Sequence, residues 1–152
     1  MSHRYTARVS WSRDDAVFTD NRYSRAHLWE FDGGITVPAS SSPNSVRLPF
    51  SRADAVDPEE ALVAAASSCH MLSFLFVAAK RGVRVDRYED DAVGVMTPDE
   101  RGKLWVSRIT LRPRIDFGDT PPSAELLAEL HHEAHEECYI ARSLKTEIVV
   151  EG

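Results

Sequence analysis

Apolar and polar positions change period several times along this chain, and each change marks an element. From Tyr5 to Trp11 they alternate, with Tyr5, Ala7, Val9 and Trp11 on one parity, which predicts a strand. Alternation returns from Arg25 to Phe31. Asp32-Gly33-Gly34 then supplies a turn before Ile35-Thr36-Val37, so the amino-terminal part is predicted to be a three-stranded antiparallel sheet. Pro38 to Pro49, containing Ser40-Ser41-Ser42-Pro43-Asn44, reads as a loop.

A long apolar run follows. Asp57 is a good N-cap, Pro58 suits the first helical position, and Glu59 and Glu60 suit the positive end of the helix dipole. The helix is predicted to continue from Ala61 through Lys80-Arg81 and to stop at Gly82. It carries no formal charge between Ala61 and Ala79, and a helix apolar nearly all round is expected to be buried at the centre of a fold or an assembly.

Val83–Met96 and Lys103–Phe117 are predicted to be two long strands, joined as a hairpin through Thr97–Gly102. Pro121 to Glu137 reads as a second helix, with Leu126, Leu127 and Leu130 facing inward. A short helical turn after Cys138 and a last strand from Lys145 to Glu151 complete the chain. The order βββ-α-ββ-α(α)-β predicts an α+β fold in a single domain over residues 1–152.

Composition narrows the function classes. A chain of 152 residues can build a real core, and its hydrophobic fraction of 43% is ordinary for a globular protein. A net charge of −6 argues against non-specific nucleic-acid binding. No membrane span is expected, and the start Met1-Ser2-His3-Arg4-Tyr5 lacks a signal-peptide apolar region, so a cytoplasmic location is expected. Structural disulfides are rare in that compartment, and paired cysteines there more often do chemistry. The only two cysteines are Cys69 and Cys138, too few for a disulfide scaffold or a four-cysteine zinc site.

Cys69 sits deep in the apolar helix and reads either as a small buried hydrophobe or as a nucleophile. Only the thiolate attacks, and the helix dipole fades after the first turn, so the second reading needs a cation from elsewhere in the fold. His70 is a poor partner, because helix neighbours point about 100° apart. It is expected to pack at an interface or bond a backbone carbonyl. Glu59 lies ten residues before Cys69, about 15 Å along a continuous helix. It is either a carboxylate complementing the dipole or a group reaching the thiol of a second subunit in a two-fold dimer.

His131 and His135 share a helix face, yet the His-Glu-x-x-His pattern is absent, since His132-Glu133 meets His135 one residue early. Much of this run reads as a solvated face, and no metal is expected.

The stretch Asp57-Pro58-Glu59-Glu60-Ala61-Leu62, continuing to Ser67-Ser68-Cys69-His70-Met71-Leu72, resembles the OsmC/Ohr family of bacterial thiol peroxidases. Glu137-Cys138-Tyr139-Ile140-Ala141-Arg142-Ser143-Leu144 before a last strand is similar to it as well, and the likeness covers about Tyr5 to Val150. Asp57 stands where that family usually has Asn. The resemblance implies an intertwined homodimer of β(3)-α-β(2)-α(2)-β subunits with central helices and active sites at the interface. It implies a peroxidatic Cys69, a resolving Cys138, and a Glu59 that orients an arginine holding the thiolate. Arg25, on the strand before Asp32-Gly33-Gly34, is the favoured arginine, and Arg47 is the alternative. The substrate it implies is a hydroperoxide, organic or hydrogen peroxide, and the reductant a dithiol of lipoyl type. No metal, haem or flavin is required. Met71, Leu72, Phe74 and Phe76 are candidates for an apolar wall against an organic substrate. Two other classes stay open: a non-catalytic stress-associated binding protein with structural cysteines, and a hydrolase using Cys69, His70 and the His131–His135 face.

Overall fold

The structure, a computed structural model, describes residues 1–118 and 120–152. The chain divides into two compact units, Met1–Ala61 and Leu62–Gly152.

In the first unit, strands β1 (Ala7–Ser10), β2 (His27–Phe31) and β3 (Thr36–Ala39) form an antiparallel sheet in that order. Val9 stands opposite Trp29, which stands opposite Val37, so apolar residues of all three strands share one face. The β2–β3 turn closes through the Gly34 N–H on the Phe31 carbonyl, with Gly34 at φ +81° where a side chain would be strained. A single 3-10 turn, Phe18–Asp20, lies between β1 and β2 and was not expected from the sequence.

Helix α1 (Pro58–Lys80) starts at the end of this unit. Asp57 and Glu60 form a capping box: the Glu60 N–H donates to Asp57 Oδ1, and the Asp57 N–H donates to Glu60 Oε1, both at 2.8 Å. This occupies Glu60 and leaves the Glu59 carboxylate available. At the other end Gly82, at φ +72°, donates its N–H to Ala79 while Val83 donates to Ala78, a Schellman close.

In the second unit, β4 (Val85–Asp90) pairs with β7 (Pro113–Phe117). Strands β5 (Val93–Pro98), β6 (Leu104–Leu111) and β8 (Glu147–Val150) make a separate sheet in which β6 and β8 run parallel. The two long strands expected from the sequence are therefore each broken in two. The hairpin register is unchanged across the break, with Asp90 opposite Pro113 and Val93 opposite Thr110. Two causes act at the break. Pro113 has no N–H to give a ladder, and the Arg112 N–H donates to Asp90 Oδ1 at 2.6 Å. The other oxygen of Asp90 accepts the Ser67 hydroxyl from α1.

Helix α2 (Ala124–Glu137) begins later than expected, because Pro121-Pro122 precede a Ser123 N-cap whose side chain accepts the Leu126 N–H. Helix α3 (Tyr139–Ser143) follows directly. One core joins Phe74, Val77 and Ala78 of α1 to Leu130 and Ala134 of α2, over Tyr88, Ile115 and Phe117. A second packs Ala66 of α1 on Ile109 and Leu111 of β6, with Ile140 and Ile148.

α1 buries less of itself than its composition predicts. Its buried residues are Ala66, His70, Phe74, Val77 and Ala78, one stripe at helical spacing, whereas Leu72 is 60% and Phe76 65% exposed. Uniform apolarity does not say which face a single chain covers. α1 is also long and apolar enough, by length and composition, to cross a membrane. Its mid-helix polar groups instead find protein partners, Ser67 on Asp90 and His70 on His131, as in a core helix.

Candidate active site

Two groups of side chains carry chemistry, one in each unit. In the first unit a cavity of about 460 Å3 is lined by Trp11, Phe18, Tyr23, Arg25, His27, Ser41, Ser45, Pro58 and Glu59. Its aromatic wall is a trio. Phe18 stacks on Tyr23 at 4.8 Å between centroids, and Trp11 meets Tyr23 edge-on at 5.4 Å. Trp11 Nε1 donates to the Ser24 carbonyl at 2.8 Å, which fixes the indole.

Arg25 lies over the Tyr23 ring, 3.8 Å from its centroid. Its Nη1 donates to the carbonyls of Asn21 (3.0 Å) and Tyr23 (2.5 Å), and Nη2 donates to Asn21 Oδ1 at 2.7 Å. The guanidinium is thus oriented by its own loop rather than by Glu59, though both line the same cavity. Arg47, the alternative arginine, is exposed beside the Phe50 ring and is not among the lining residues. Nothing in the sequence marks Trp11, Phe18 and Tyr23 as a wall. Their spacing follows no period, and aromatics are few along the chain.

In the second unit Cys69 and Cys138 are free thiols, near enough for Cys69 to raise the thiol of Cys138. α1 presents Cys69 half-buried, while Cys138, between α2 and α3, is 1% exposed. Burial first, with a further rise from nearby Cys69 set against the opposing Ala141 N–H bond, pushes the Cys138 thiol up to about 11. Cys138 is therefore a protonated thiol at neutral pH. Its Sγ caps α3 by accepting that N–H at 3.4 Å.

His70 finds a partner other than those expected. Its Nε2 lies 3.0 Å from Nδ1 of His131, and it is 1% exposed. His131 accordingly leaves the solvated face assigned to it, whereas His132 stays exposed. Among the described residues no group of three or more His, Cys, Asp or Glu side chains could hold a metal ion. Phe74, a candidate substrate wall, is fully buried in the core. Met71 is half-buried, and Leu72 and Phe76 are exposed.

Burial first, then the neighbouring His131 and His135, lower His70 to about 4, with Asp90 pulling the other way. A histidine depressed on folding stabilises the protein fully above its unfolded value near 6.5, and that stability is lost as pH falls through the folded value. Urea unfolding is therefore expected to show about 3 kcal/mol less stability at pH 4 than at pH 7 from this residue. His70→Gln should flatten that part of the profile.

The sequence profile of OsmC-like proteins matches residues 51–151. The chain belongs to the OsmC-like family. It is 50% identical to an OsmC-like protein of unknown function from Vibrio cholerae, with a TM-score of 0.94 over 99% of each chain. An OsmC-like protein from Mycoplasma pneumoniae shares the fold at 15% identity and TM-score 0.75, over 99% of this chain and 96% of that one. So does the organic hydroperoxide resistance protein OhrB of Bacillus subtilis, at 21% identity and TM-score 0.68 over 97% of each chain. No curated protein matches the chain. The α+β fold expected for this OsmC-like protein is the one observed.

Proposed function

We propose that this OsmC-like protein is a cysteine-based peroxidase for organic hydroperoxides. The observation that carries the reading is the asymmetry of the thiol pair: a half-buried Cys69 near a buried Cys138 that stays protonated. The Cys69 thiolate attacks the outer peroxide oxygen and the O–O bond breaks. The alkoxide leaves as an alcohol after taking a proton, and Cys69 becomes a sulfenic acid. The Cys138 sulfur then displaces the hydroxyl, which leaves as water with the Cys138 proton, and a Cys69–Cys138 disulfide forms. An external dithiol reduces it by exchange, becoming a cyclic disulfide itself.

The protein works as a homodimer, in which an arginine, Arg25 before Arg47, and Glu59 are supplied to the thiol at the subunit interface. The exposed Leu72 and Phe76 on α1 support this reading, because a second subunit would cover them. So does the name of the Bacillus subtilis relative, whose fold the chain shares.

Cys138→Ser tests the division of roles. Without reductant, the variant is expected to consume one equivalent of hydroperoxide per subunit and to leave a sulfenic acid on Cys69 that dimedone traps, whereas wild type ends as the disulfide and gives no adduct. The same adduct on wild type would remove the resolving role. If neither protein consumes hydroperoxide and both thiols stay reduced, the non-catalytic binding reading replaces this one.

A further inference from the structure

His70 and His131 take no part in the chemistry above, yet they flank it in sequence, His70 one residue after Cys69 and His131 seven before Cys138. Their rings stack at 5.4 Å with 8° between planes, and the His131 ring also packs on Phe74 at 4.5 Å. One hydrogen bond at 3.0 Å joins Nε2 of His70 to Nδ1 of His131. The remaining ring nitrogen of His70, Nδ1, is buried with no partner in either tautomer. Packing alone would favour an apolar residue here, which leaves no polar atom unpaired. The pair therefore buys orientation rather than burial. It links α1 to α2, which are joined again by Arg81, just past the end of α1, to Glu129 (3.0 Å) and Glu133 on either side of His131.

Cys138 is the residue that ends α2, so the position of its sulfur follows the rotation and axial register of that helix. We infer that the His70–His131 hydrogen bond fixes α2 against α1 and so sets Cys138 against Cys69, making both histidines positioning residues for disulfide formation. The purpose of the device rests on the peroxidase reading, although the geometry does not. The groups facing the pair are His135 from α2 and Asp90 from β4, with Asp90 already holding the Ser67 hydroxyl and the Arg112 N–H.

The test uses glutathione as the oxidant. Cys69 and Cys138 thiols plus oxidised glutathione give the Cys69–Cys138 disulfide and two reduced glutathiones. The equilibrium constant measures the effective concentration of one thiol at the other. His131→Phe keeps the ring on Phe74 and removes the hydrogen bond. It is expected to lower the effective concentration about tenfold at pH 7, with His131→Gln, which keeps an acceptor, restoring most of it. The wild-type value is expected to hold from pH 7 to pH 5, where His70, lowered to about 4, stays neutral, and the His131→Phe value to lie below it throughout. Wild-type behaviour of His131→Phe overturns the inference. If that variant does not fold, a His131→Gln value tenfold or more below wild type overturns it equally. Peroxide is absent, so a protein inert to hydroperoxides but showing this histidine dependence would sink the proposed function alone.

Discussion

Cys69→Ser is expected to abolish hydroperoxide consumption, lowering kcat/KM by a factor on the order of 10³ or more. A serine hydroxyl is not a nucleophile toward peroxide oxygen and has no sulfenic state to enter. Cys138 cannot stand in. It is 1% exposed, so a hydroperoxide does not reach it, and burial pushes its thiol up to about 11, so little thiolate exists at neutral pH. The measurement is hydroperoxide loss with excess dithiol, at equal concentrations of folded protein. Activity within tenfold of wild type would mean that the chemistry lies elsewhere.

Phe74→Ala is expected to destabilise the protein by about 3–5 kcal/mol, the cost of removing a buried aromatic and leaving a cavity. Phe74 is fully buried where α1 meets α2, against Leu130, Ala134, the Tyr88 ring and the His131 ring. Thermal unfolding should drop by on the order of 10 °C for a chain of this size. The result also separates two roles that the sequence left joined. A substrate-wall residue would raise KM with stability intact, whereas a core residue lowers stability and leaves KM of the folded fraction unchanged. A loss below 1 kcal/mol would show that the site collapses easily or that Phe74 is less enclosed than described.

Local chemistry made much of this fold legible. Asp57, Pro58 and Gly82 announce α1 because caps act through neighbouring backbone groups, and the same logic marks the Asp32-Gly33-Gly34 turn. The features that escaped depend on contacts distant in sequence. The break in the long hairpin needs Asp90 to meet both Ser67, 23 residues before it, and Arg112, 22 residues after it. His70 and His131 are 61 residues apart, so helix periodicity could place His131 on a face but not name what that face meets. The exposure of Leu72 and Phe76 was hidden for another reason, since a helix apolar all round carries no signal of which side its own chain covers.

The candidate site was legible in its thiols and less so in its surroundings. Cys69 and Cys138, marked out by scarcity and by the family resemblance, lie near enough for one to shift the other's titration. The aromatic trio around Arg25 rests on a 3-10 turn and on Asn21 in a left-handed conformation, neither of which the alternation of strand residues reports.

The central claim is that Cys69 takes the peroxide oxygen and Cys138 closes the disulfide. Its most direct test is one equivalent of cumene hydroperoxide added to the reduced wild-type protein, followed by alkylation and intact-mass measurement without reductant. The expected product is two hydrogens lighter than the reduced chain, with no alkylated cysteine and a peptide pair linking Cys69 to Cys138. A chain carrying two alkyl groups, with the hydroperoxide unconsumed, would contradict it.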